Sequence, residues 1–156
     1  MYETVLTLHS WNRWLSLLLG IAATVNAFRE PAAVTVARKK GSKWDTFFMA
    51  SVDLQVLFGL ALYFGLSPFT TEAMNNLSAA MRTPALRFWA VEHVVVMFAA
   101  VILVRLGRIF AMTARTPEAR RSRRLICFGL AIAAMVVAIP WPGLSNGRPL
   151  LRAWPS

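Results

Sequence analysis

Thr7-Leu8-His9-Ser10-Trp11-Asn12-Arg13-Trp14-Leu15-Ser16-Leu17-Leu18-Leu19-Gly20 opens an apolar run that continues to Phe28, and its reading decides the fold. The run is long enough to cross a bilayer, since about 20 residues span roughly 30 Å of hydrocarbon. It nevertheless carries an imidazole and a guanidinium four residues apart. Three more apolar segments come after it, so residues 7–28, 46–66, 88–107 and 123–141 predict four spanning helices. No Lys or Arg precedes the first run, Glu3 does, and no small-residue cleavage site comes after it, so it reads as a retained helix and not as a signal peptide. The expected fold is all-α, a single transmembrane domain over 1–156 built as an integral membrane four-helix up-down bundle, because short connections make consecutive helices neighbours. Helix one then lies diagonal to helix three, at about 12–14 Å between axes, a gap wide enough for a flat cofactor.

Composition agrees with that reading. Of the 156 residues, 57% are apolar and 15% charged, which excludes an ordinary soluble domain; the mean hydropathy is +0.53. A single cysteine, Cys127, excludes an internal disulfide framework and reads as a small buried residue. With two histidines there is no zinc cluster, so any cofactor is held by very few ligands. The net charge of +10 is a topology signal. Arg29, Arg38, Lys39, Lys40 and Lys43 lie between helices one and two, and Arg105, Arg108, Arg115, Arg120, Arg121, Arg123 and Arg124 lie toward the connection between three and four. Only Arg82, Arg87, Arg148 and Arg152 fall on the other side, which places the basic linkers in the cytoplasm and both termini outside it. No aromatic residues interleave with the basic runs to stack bases, so the expected partner is the lipid bilayer and its phosphates, with no nucleic acid. The linker 67–86, with Met74, Leu77 and Met81 at helical spacing, predicts a short outer surface helix. Pro140-Trp141-Pro142-Gly143 stops the last helix before an irregular tail.

Ionisable groups inside spanning helices are costly and mark functional candidates. In helix one, His9, Arg13, Ser16 and Gly20 form a polar or small stripe that faces inward. In helix three, Trp89, His93, Met97 and Ala100 share a stripe with Glu92 beside it. His9 and His93 are therefore expected to face each other across the diagonal. Their functional reading is axial ligation of a haem iron, one imidazole from each helix. The structural reading is an interfacial His9 and a buried neutral His93 satisfied by a backbone group. Arg13 and Glu92 fall at similar depths, about 9 and 6 Å, and read either as a buried ion pair or as an anion contact for a haem propionate with Glu92 completing the network. Asp53 lies too far along the helix from Arg13 for an easy contact and, without a partner, reads as a neutral hydrogen-bonding group, or as a proton or quinone site. Gln55 lies on a different face of helix two, with Ser51 and Gly59 in helix packing.

The segments Leu8-His9-Ser10, Leu54-Gln55-Val56-Leu57-Phe58-Gly59-Leu60, Leu62-Tyr63-Phe64, Arg87-Phe88-Trp89-Ala90-Val91-Glu92-His93 and Ile139-Pro140-Trp141 resemble a family of small four-span bacterial inner-membrane proteins, the cytochrome b-like proteins. The resemblance touches all four helices. It implies a haem b-binding bundle, multi-pass in a bacterial inner membrane with both termini periplasmic, and makes His9 and His93 the matching histidines with Glu92 beside the second. It also implies that the helix-two position held here by Asp53 is frequently histidine in that family.

Two functions are expected. The first is a b-type haem electron-transfer protein or redox subunit of a respiratory-type complex, with metal ligands His9 and His93, with Arg13, Glu92 and Trp89 around the cofactor, and with a quinone or another redox protein as partner. The second is a cofactor-free or pigment-binding accessory subunit of a larger respiratory or photosynthetic membrane complex. A nucleophile-base pair and a Gly-rich phosphate loop are both lacking, which favours a carrier or subunit over a stand-alone enzyme. No broken-helix pair or inverted repeat points to a transporter.

Overall fold

A computed structural model describes residues 1–30 and 42–154. Helix α1 is Tyr2–Arg29, and α2 is Lys43–Ala61, extended by a π-helical turn, Leu62–Leu66. Three short helices come next: α3 (Pro68–Asn75), α4 (Leu77–Arg82) and α5 (Pro84–Arg87). A second π-helical turn, Phe88–Glu92, leads from α5 into α6 (His93–Met112), and α7 is Pro117–Val137. The all-α expectation holds, with no strand among the described residues. Lys43–Leu66 and Pro84–Met112 are long and apolar enough to cross a membrane. Arg38, Lys39 and Lys40 of the expected basic linker lie outside the described residues.

Helix ends differ from the hydropathy boundaries because caps, not apolarity, set them. The last helix begins at Pro117, six residues before the expected 123, where Thr116 Oγ1 accepts the Ala119 N–H and proline occupies the first turn. It stops at Val137 instead of 141, since Pro140 has no N–H to continue it and the chain tightens through Ile139 N–H to Val136 O. The expected surface helix is two helices, broken at Asn76, whose side chain caps α4 through the Ala79 N–H. Its stripe of Met74, Leu77 and Met81 is exposed, while Thr70, Ala73 and Ala80 face inward.

Polar contacts fix how the long helices run. Asn12 reaches Ser51 and Gln55, while Asn26 meets Ser42, so α1 and α2 are antiparallel. Arg105 and Arg108 of α6 reach Asp53 and Thr46 of α2, and Tyr63 reaches Ala90, which gives the same sense to that pair. Between these helices the core is Leu17, Phe48, Val52, Val104, Phe128 and Met135, centred on an edge-to-face contact of Phe48 and Phe128 at 5.6 Å. Two glycines permit the approach. A Cβ at Gly20 would stand 2.9 Å from the Phe48 ring, and one at Gly107 would stand 2.8 Å from Cys127 and Phe128. Close backbone approach of this kind is how helices pack when dispersion carries the contact. Cys127 is buried there, as expected.

One end of the helices is tied by charge. Arg124 is fully buried and donates at 2.5 Å to both Glu30 and Asp45, with a third bond to Asn26 at 3.2 Å. That single guanidinium joins α1, α2 and α7. Its loss removes the hydrogen-bonded partner of buried Asp45 and leaves Glu30, among the described residues, only Arg120 at 4.0 Å, which costs about 3–5 kcal/mol. Arg105 and Asp53 form a half-exposed pair at 2.6 Å, worth less than about 1 kcal/mol. Denaturation in detergent is expected to show Arg124→Met far more destabilising than Arg105→Met, and equal losses would contradict this assignment.

Candidate functional site

The opposite end carries the site. The two π-helical turns face each other across it, each closed by a bond five residues back: Ser67 N–H to Leu62 O at 2.8 Å and His93 N–H to Phe88 O. Such a turn bulges the helix by one residue and re-aims the side chains beyond it, and π-bulges gather at functional sites for that reason. Here they are joined directly, because Tyr63 donates to Ala90 O at 2.9 Å, and Thr70 donates to Tyr63 O at 2.8 Å. Tyr63, Trp89 and His93 line the same cavity as His9 of α1.

His9 and His93 meet with ring centroids 6.3 Å apart and ring planes inclined by 62°. Phe88 and Trp89 stand 5.6 and 5.7 Å from the His93 ring. Both histidines line a partly open, mainly apolar cavity of about 130 Å³, with Gln55, Gly59, Met97, Arg13 and Arg148 also on its walls. Gly59 lets His9 in: a Cβ there would sit 3.3 Å from the imidazole Cε1.

Hydrogen bonds set the two imidazoles differently. His93 Nδ1 lies 2.9 Å from Ala138 O, and a carbonyl only accepts, so the proton is on Nδ1 and the Nε2 lone pair has no partner among the described residues. A backbone carbonyl on the far nitrogen is the usual way a ligating histidine is oriented. The His9 tautomer is set by a relay that begins at another carbonyl. Asn12 donates from Nδ2 to Ser51 O at 2.9 Å and to Gln55 Oε1 at 2.8 Å. That orients the Gln55 amide nitrogen toward His9, where it donates to the backbone carbonyl and to Nε2, both at 3.1 Å. His9 Nε2 is thus an acceptor, and the proton sits on Nδ1, which is buried and has no partner among the described residues.

Arg13 and the tail close the rim. Arg13 donates to Leu150 O at 2.8 Å and to Ser10 Oγ at 3.2 Å, and Trp14 donates to the same carbonyl at 2.9 Å. Arg148 lies over Phe69 and Trp89, 4.5 and 5.2 Å from their centroids. Of the three arginines on the cavity wall, Arg152 pairs with Glu3 at 2.6 Å, while among the described residues Arg13 and Arg148 touch no carboxylate.

Of the expected site residues, His9, His93, Arg13 and Trp89 come together. Glu92 does not join Arg13. The turn that sends His93 inward sends Glu92 outward, where it pairs with Arg87 at 2.6 Å. Asp53 is not partnerless: α6 packs antiparallel to α2 with Arg105 level with Asp53, the two pair at 2.6 Å, and the pair lies away from the cavity. Gln55 is part of the site and not merely of helix packing. Sequence reasoning missed Asn12, Tyr63 and Arg148. Asn12 was marked by lying three residues after His9 on the inward stripe, whereas Arg148 sits in an irregular tail that has no period to read.

No family model, curated protein or solved structure matches the chain. The site's own geometry therefore carries the functional reading. It also predicts a coupling pattern: Arg13→Leu and Glu92→Gln should add within about 0.5 kcal/mol in stability, whereas Arg87→Leu and Glu92→Gln should not. An Arg13 and Glu92 pair that couples strongly in this double-mutant cycle would contradict the geometry.

Proposed function

We propose that the cavity holds a b-type haem between α1 and α6, in an electron-transfer protein or redox subunit of a respiratory-type membrane complex. The observation that carries this is the 6.3 Å separation of the two imidazole rings. Two imidazoles that share one metal at about 2.0–2.1 Å from each nitrogen bring their centroids about 6 Å apart. A pair of histidines is too few for a bare ion, and no group of three or more metal-binding side chains exists among the described residues. Two axial ligands suffice for an iron already held by a macrocycle.

The remaining walls suit the same group. His93 offers an Nε2 that has no partner among the described residues, on a ring held by Ala138 O. The enclosed space is about the size of one aromatic ring, and its open side leaves room for the rest of a flat molecule to project. Arg13 and Arg148 supply positive charge for carboxylates at the rim. When bound, haem supplies a one-electron couple. The chain's own part is to bind and orient it and to exclude water with Trp89, Phe88 and Met97.

In this reading the four long helices form an up-down bundle across a bacterial inner membrane, with the histidine end and both termini on the periplasmic side and the arginine-rich end in the cytoplasm. The exposed Asp53 and Arg105 pair favours coverage by another membrane subunit or redox protein on that face, because charge facing lipid is costly. The same pair is the one observation that favours an accessory subunit.

The purified full-length protein should have a Soret band that shifts on dithionite reduction, and His93→Ala should abolish it. A protein without that band, or a spectrum that survives His93→Ala, would overturn the assignment. A reporter active only in the cytoplasm, fused after Ser156, should be silent; activity there would reverse the orientation.

A further inference from the structure

The two histidines differ in what they can give up. His93 has its Nδ1 proton engaged by Ala138 O and nothing on Nε2 among the described residues, so a metal takes that nitrogen without breaking any bond. His9 has the reverse arrangement. Its Nε2 accepts from Gln55, and that amide cannot turn over without cost, since turning would set its oxygen against His9 O and its nitrogen against the Asn12 N–H. Asn12 is in turn held by Ser51 O. Three bonds in sequence, anchored on a main-chain carbonyl, thus commit the nitrogen that His9 would use as a ligand. The alternative nitrogen, Nδ1, carries the proton.

Resting on the haem reading, we infer that Gln55 competes with the iron for His9 Nε2, which makes His9 an exchangeable axial ligand whose place a small neutral diatomic molecule can take. The exchange is balanced without any redox or proton step. An incoming molecule with its own lone pair would take the position that His9 Nε2 gives up, and that Nε2 would again accept the Gln55 N–H. Gln55 is then a positioning residue: it acts on the metal only through His9. Gly59 serves the same end, since the absence of a Cβ leaves the His9 Cε1 edge free to shift by the few tenths of an ångström that a change of partner demands.

Carbon monoxide titrated into the dithionite-reduced, purified full-length protein, followed by absorbance, tests this. The wild-type protein should bind it. His9→Ala should keep haem and bind carbon monoxide more tightly, whereas His93→Ala should lose haem. Gln55→Leu should weaken carbon monoxide binding about five-fold, the worth of one net hydrogen bond no longer holding the displaced ring. Asn12→Leu, which unpins the Gln55 amide, should act in the same direction and serves where Gln55→Leu does not fold. Absence of a Soret band overturns the haem reading itself. With the band present, failure to bind carbon monoxide, equal loss of haem from both histidine variants, or wild-type affinity in both Gln55→Leu and Asn12→Leu overturns the inequality of the two histidines.

Discussion

Polar groups buried among apolar helices must find partners, and the structure depends on where that requirement is met. It is met at two ends of the same helices by different means. At one end Arg124 gathers Glu30, Asp45 and Asn26 from α1 and α2 into a charged knot. At the other, Ser51 O orients Asn12, Asn12 orients Gln55, and Gln55 orients His9, all with neutral hydrogen bonds. Between them α1 is apolar or small, and Gly20 lets the Phe48 ring close the core. The charged knot fixes the helices against one another. The neutral relay leaves two buried atoms without a partner among the described residues, Asn12 Oδ1 and the protonated Nδ1 of His9, the latter on a cavity-lining residue.

That separation has a chemical consequence. A neutral relay leaves the site's charge to its rim, where Arg13 and Arg148 have no carboxylate partner among the described residues and the irregular tail supplies main-chain acceptors instead. The cavity is mainly apolar, with basic groups at its mouth and two imidazoles on its wall. The π-helical turn Phe88–Glu92 leads directly into His93, and the bond from Tyr63 to Ala90 O ties it to the other π-helical turn.

Much of this was legible in the sequence, for identifiable reasons. Apolar length and the inward stripe of His9 and Arg13 come from a fixed helical period, so the pairing of His9 with His93 was readable from spacing alone. The partner of each charge was not. Glu92 and Asp53 were assigned by depth along the helix axis, and depth says nothing of which way a side chain turns. The π-helical turn that carries Glu92 to Arg87 lies outside a regular period, and the pairing of Arg105 with Asp53 depends on how α6 lies against α2, which no period within one helix encodes. Arg148 was hidden for the same reason, since a tail after Pro142 has no repeat that would place it over Trp89.

Low-temperature electron paramagnetic resonance of the air-oxidised, purified protein tests the central claim most directly, because it reads the axial ligands of a ferric iron. Two imidazoles, from His9 and His93, should give a low-spin ferric signal. A purified, folded protein that gives no ferric haem signal, or a low-spin signal that persists unchanged when His93 is replaced, would contradict the account.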